Sequence, residues 1–102
     1  MPTIADIAGV SDAVRRDLVR GVSILKAGGC EEVYLFGSVA DGSGTSRSDI
    51  DFAVKGCPAD LFYKLQGRLL LELARSVDLI DLDADAELAT FLEREAGLIR
   101  VE

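Results

Sequence analysis

The sequence predicts an α/β (α+β) fold in which three to four short strands are flanked by helices. Three observations carry this. Apolar residues recur at helical spacing in three stretches: Val14, Leu18, Val22 and Leu25, then Leu61, Leu65, Leu69 and Leu73, then Leu88, Phe91 and Leu92. Short runs rich in β-branched and aromatic residues lie between them. Gly28-Gly29, Gly37, Gly56-Cys57-Pro58 and Gly97 separate the runs.

Residues 1–10 read as partly loop. Ser11 suits an N-cap for a helix over Asp12–Ala27, with Asp12 in the first turn where the dipole favours a negative charge. Gly28-Gly29 ends that helix. Glu31–Phe36 is the first expected strand and Asp49–Val54 the second. The connection between them is too polar and glycine-rich for either element, apart from a short helix start near Ser38–Ala40 that would aim amides at an anion. Pro58 suits a helix entry, and Asp60–Ser76 is expected as a long core helix with Phe62 beside its leucines. Val77–Leu82 reads as a third strand. Ala84–Glu95 follows as a last helix, with Leu88, Phe91 and Leu92 inward, and Gly97 stops it. Leu98–Val101 is expected to add an edge strand. Tyr34 and Tyr63 are read as core-packing aromatics.

Composition narrows the function. With 102 residues, 49% of them apolar, the chain is expected to form one globular domain spanning residues 1–102. No run approaches a membrane span and the first residues lack a signal-peptide pattern, so a cytoplasmic location is expected. Cys30 and Cys57 read as small, partly buried thiols that would pair only under oxidising conditions. There is no histidine, which excludes Ser-His and Cys-His nucleophiles and imidazole zinc sites. Acid–base or metal chemistry must then run on carboxylates. A net charge of −7 argues against direct nucleic-acid binding and suits a basic protein partner.

The stretch from Leu35 to Val54 is the most informative. An apolar strand breaks at Gly37-Ser38, crosses a Gly/Ser/Asp-rich loop and re-enters a strand carrying Asp49 and Asp51. Residues two apart on a strand share a face, so these carboxylates project together while Ile50, Phe52 and Val54 enter a core. Neighbouring carboxylates repel, and a bound hard cation such as Mg²⁺ is the usual reason to keep them. The Gly-Ser turn offers close backbone approach, free N–H groups and a hydroxyl, which suit a phosphate. On the third strand Asp78 and Ile80 share one face, Val77 and Leu79 the other. Asp78 joins the pair if its face is theirs. Asp81 and Asp83 read as a solvated strand end or helix entry, with Asp81 the substitute if a bulge shifts the register.

Gly37-Ser38, ten residues, then Asp49-Ile50-Asp51 is a spacing that resembles the polymerase β-like nucleotidyltransferase superfamily. Length and flanking sequence resemble its smallest branch, the minimal nucleotidyltransferases, over nearly the whole chain. The resemblance implies that family's fold, a small mixed sheet flanked by helices. It further implies two Mg²⁺ ions and transfer of AMP from ATP. Asp49, Asp51 and Asp78 would be the catalytic and metal-binding acids, and Gly37, Ser38 and Arg47 would meet the nucleotide. Many minimal members are antitoxins of a HEPN-domain toxin, silencing it by adenylylating a tyrosine or by binding alone. Family members carry arginines where this chain has Val39 and Asp41. An aspartate near the triphosphate tail should weaken nucleotide binding by ~1 kcal/mol. Two functions are therefore expected to compete: an enzyme modifying a hetero-oligomeric toxin partner, and a catalytically weak antitoxin that acts by occlusion.

Overall fold

The computed structural model describes residues 10–37, 39, 49–95 and 97–102. Helix α1 (Asp12–Ala27) begins where the Ser11 hydroxyl accepts the backbone N–H of Val14 at 3.3 Å, with Asp12 in its first turn. Its C-cap is Gly28, whose N–H donates to the Ile24 carbonyl at 3.0 Å. There follow β1 (Glu32–Phe36), β2 (Ile50–Lys55), α2 (Phe62–Glu72), β3 (Val77–Asp81), α3 (Ala86–Glu95) and β4 (Ile99–Arg100). The strands lie in the order β3-β2-β1-β4. β1 runs antiparallel to both β2 and β4, whereas β2 and β3 are parallel, with α2 as the crossover that a parallel pair requires. The sheet is mixed, as expected.

The two faces of the sheet are filled differently. Val33, Leu35, Ile50, Phe52, Val54, Val77 and Leu79 form one face and pack against α1 and α2 through Leu18, Val22, Leu25, Leu65, Leu69 and Leu73. Helix α1 approaches closely because of Gly21, where a Cβ would stand 2.6 Å from the Phe52 ring. The other face presents Tyr34, Phe36, Ala53 and Ile80, covered by Ala89 and Leu92 of α3 together with Leu82 and Leu98. Arg75 and the buried Asp17 lock α1 to the turn before β3: the guanidinium donates to Asp17 Oδ2 at 2.7 Å, and the Ala74 N–H donates to Oδ1.

Several expectations are corrected. Helix α2 is shorter than Asp60–Ser76. Leu73 leaves it with extended backbone, because the Asp17 anchor takes the next residues toward β3. Tyr63 is not core: it is 79% exposed and packs edge-to-face with Phe62, at 5.4 Å between ring centres. Leu88 and Phe91 do not point inward, since α3 meets the sheet through Ala89 and Leu92, rotated away from the expected stripe. Phe91 is left 58% exposed. The tail does add an edge strand. Val101 is buried, its N–H donates to the Val33 carbonyl at 2.9 Å, and the Glu102 carbonyl accepts from the Val33 N–H. No described helix is long and apolar enough to cross a membrane. Of the helix start expected near Ser38–Ala40, only Val39 is described; it is helical and buried.

Candidate active site

β1 ends at Phe36, whose register partner on β2 is Asp51; Asp51 in turn is paired with Asp78 on β3. The row Phe36–Asp51–Asp78 lies on the face covered by α3, next to the row Tyr34–Ala53–Ile80. Parallel neighbours in register project their side chains to the same side, so the two carboxyls meet. Asp49 precedes β2 with the same parity and is exposed, as is Asp78, whereas Asp51 is half-buried.

Gly37 shapes the rim. Its φ is +76°, in the left-handed region that favours glycine, and a Cβ there would stand 2.3 Å from Asp51 Oδ2. The chain can therefore turn out of β1 directly over the carboxylate only with glycine. Burial pushes the Asp51 carboxyl up to about 6, helped by its hydrogen bond with Asp78 and by the negative charges of Asp78 and Asp49. The site concentrates negative charge on one face of the sheet.

Asp81 pairs with Val54, keeping the parity opposite to Asp78, and the β2–β3 register runs unbroken from Ile50 to Val54. It stays apart from the other acids and accepts the Asp83 N–H at 3.0 Å. Asp83 accepts the Gly56 N–H at 2.7 Å, a loop-fastening role at a solvated strand end. Ser38, Asp41 and Arg47 lie outside the described residues. Tyr34 stands one row from the acids. Burial and its hydrogen bond to Glu32 push its hydroxyl up to about 12, and the Lys55 ammonium sits 5.6 Å from its ring centre. Sequence reasoning missed the apolar floor on this side, made by Phe36, Ala53 and Ile80. The alternation Tyr34-Leu35-Phe36, apolar on both faces of one strand, was the signal for it.

The donor set suits a divalent cation by its chemistry. Every group is a carboxylate oxygen, the ligand that hard cations prefer, and Mg²⁺ needs only one or two of them beside water and phosphate. Among the described residues no three potential ligands are gathered to hold a metal ion as they stand. The touching pair Asp51–Asp78, with Asp49 close enough to raise Asp51, fits a shared cation.

A family model described as polymerase beta, nucleotidyltransferase matches residues 23–99. The chain belongs to this family. The matched span includes Gly37, Asp49, Asp51 and Asp78. No curated protein matches the chain. Among solved structures, a chain of a toxin–antitoxin crystal structure with AMP-PNP is similar at 23% identity and a TM-score of 0.61, over 86% of this chain and 72% of that one. A chain of a mutant toxin–antitoxin MntA–HpeT structure is 25% identical, also with a TM-score of 0.61, over 83% and 72%. A chain of toxin–antitoxin MntA–HepT is 22% identical, with a TM-score of 0.59, over 82% and 69%. The polymerase beta nucleotidyltransferase fold thus accounts for the mixed sheet and for the placement of its acids on one face.

Proposed function

We propose that this chain is an antitoxin that transfers AMP from ATP, with Mg²⁺, to a hydroxyl of a partner HEPN toxin, a tyrosine by preference. The observation that carries the reading is the Asp51–Asp78 carboxyl pair beneath Gly37, with Asp49 alongside. The likeness to toxin–antitoxin complexes, one of them holding AMP-PNP, supports the partner and the nucleotide.

Asp49, Asp51 and Asp78 hold the divalent cations in this scheme. When bound, two such ions supply neutralisation of the triphosphate and a lower pKa for the attacking hydroxyl. Asp51, backed by burial and by Gly37, is the fixed member that sets where the charge lies. Asp78, exposed on β3, faces the acceptor and takes its proton. Gly37 and Ser38 receive the β- and γ-phosphates through backbone amides and a hydroxyl, and Arg47 meets the triphosphate tail. The acceptor oxygen attacks the α-phosphorus, pyrophosphate leaves, and AMP stays on the acceptor. The chain works in the cytoplasm as a single domain within a hetero-oligomer and makes no direct contact with nucleic acid or membrane.

A second reading, neutralisation by occlusion alone, is favoured by one observation. Val19, Tyr63, Leu70 and Leu71 are all more than half exposed on α1 and α2, away from the acids, and such apolar surface suits a protein partner. One experiment separates the readings: intact mass of the co-expressed toxin with wild-type chain and with Asp49→Asn/Asp51→Asn. An added AMP mass that vanishes in the variant supports transfer. An unmodified toxin that is still bound and inhibited supports occlusion.

A further inference from the structure

We propose that Cys30 and Cys57 are a paired redox site that closes into a reversible intramolecular disulfide, stapling the entrance of β1 to the exit of β2. The β1–β2 register reaches Glu32↔Lys55. One step further, a Cβ on Gly56 would lie 2.6 Å from Glu31 Cγ, and two steps beyond that a Cβ on Gly29 would lie 3.2 Å from Pro58 Cγ. Residues 31 and 56, and residues 29 and 58, are therefore neighbours across the pair of chains, and Cys30 is bracketed opposite Cys57. Both cysteines are free thiols in the same core cluster, Cys30 buried and Cys57 half-buried at its edge. The paired ladder ends at Glu32↔Lys55, and just beyond it the Cys30 and Cys57 thiols lie within hydrogen-bonding reach of each other.

Both backbones are already held. The Cys30 N–H donates to the Leu25 carbonyl at the end of α1, the Glu31 N–H to the Lys55 carbonyl, and the Gly56 N–H to Asp83. Closing the bond asks for rotation about side-chain torsions while the chain stays in place. The order of events follows from exposure. Burial, then the hydrogen bond to Cys57 and the charges of Cys57 and Asp81, push the Cys30 thiol up to about 12, against a smaller opposing effect of Lys26. Cys57 is the thiol a solvent-borne oxidant meets first.

With a peroxide as oxidant, the Cys57 sulfur attacks one peroxide oxygen. An S–O bond forms and the O–O bond breaks. The leaving oxygen takes the thiol proton and departs as water when the oxidant is hydrogen peroxide. The Cys30 sulfur then attacks the Cys57 sulfenic acid: S–S forms, S–O breaks, and the departing hydroxide takes the Cys30 proton as a second water. Two thiols lose two electrons to one peroxide, and a dithiol reductant reverses the change. The closed ring encloses the stretch from Glu31 to Gly56, which contains Gly37, Asp49 and Asp51.

The test uses the full reduced chain, hydrogen peroxide as the probe, and intact mass after alkylation in denaturant. The expected product is a monomer lighter by two hydrogens, closed to alkylation at both cysteines and restored by dithiothreitol. Its peptides carrying Cys30 and Cys57 are joined, and its thermal midpoint is several degrees higher. Oxygen added at Cys57 with Cys30 still alkylated, a disulfide-linked dimer, or no reaction would each overturn the proposal. Cys57→Ser, at the more exposed position, controls for folding. Cys30 should then resist the same peroxide treatment, and equal oxidation of Cys30 in that variant also overturns the paired role.

Discussion

The two faces of the sheet show how differently one set of strands can be used. On the α1/α2 face, Leu18, Leu35, Phe52 and Leu69 are fully buried, and Gly21 lets the helix settle directly on the Phe52 ring. On the α3 face a thinner apolar layer gives way, within one row of residues, to Asp51 and Asp78. The first face buries large side chains and stabilises the fold. The second gathers like charges, which repel one another. The stable face lets the other carry unfavourable charge, because β2 contributes alternate residues to both.

The comparison can be broken most severely at Phe52. Phe52→Ala removes a ring at the centre of the stable face and should cost about 3–5 kcal/mol of unfolding free energy in urea titration. A loss under 1 kcal/mol would mean that the face is not the main source of stability. Gly21→Ala sharpens the same point, since the added methyl meets the Phe52 ring. We expect a loss of about 1–3 kcal/mol from overpacking, with the urea m-value unchanged.

On the opposite face the sign should invert. The Asp51 carboxyl is raised from 3.8 to about 6 in the fold. Its contribution to stability is therefore fully present below about pH 4 and is lost as pH rises through about 6. Asp51→Asn should make the metal-free protein more stable at pH 7.5, on the order of 1 kcal/mol once a half-exposed carboxyl is discounted for solvent screening. The gain should disappear at pH 4. Added Mg²⁺ should raise the melting temperature of the wild type and leave the variant unmoved. Destabilisation at pH 7.5 would show that Asp51 is an ordinary satisfied acid. The smallest effect is expected outside both faces: Tyr63→Ser, at a residue 79% exposed, should change unfolding free energy by less than about 0.5 kcal/mol.

Much of this division was legible in the sequence, because strand parity is strict. Ile50, Phe52 and Val54 against Asp49 and Asp51 could be sorted by counting in twos, whereas counting left the face of Asp78 open until the β2–β3 register paired it with Asp51. Helix α1 was legible to the residue, since Ser11 and Gly28 mark its ends chemically. Helix α3 was not. Leu88, Phe91 and Leu92 form an acceptable stripe, and only the position of the strands reveals that Ala89 and Leu92 face them. The end of α2 was hidden for another reason. Nothing near Leu73 announces a stop, because the cause, the carboxylate of Asp17, lies far away in the chain. The pairing of Cys30 with Cys57 was equally nonlocal. Ser38 and Arg47 keep their proposed roles from the spacing of the loop alone.

The short strand β4 has a consequence for how the protein is made. β1 is an outer strand until Ile99 and Arg100 lie against Leu35 and Tyr34, and those residues are the last to be synthesised within the sheet. A nascent chain that has completed α1, β1 and β2 therefore carries an open row of backbone amides and carbonyls along an apolar strand, the kind of edge that invites pairing between chains. That edge closes only once β4 has been made and has paired with β1. Yield in cells should thus depend on Ile99 and Arg100 far more than the small area of β4 suggests.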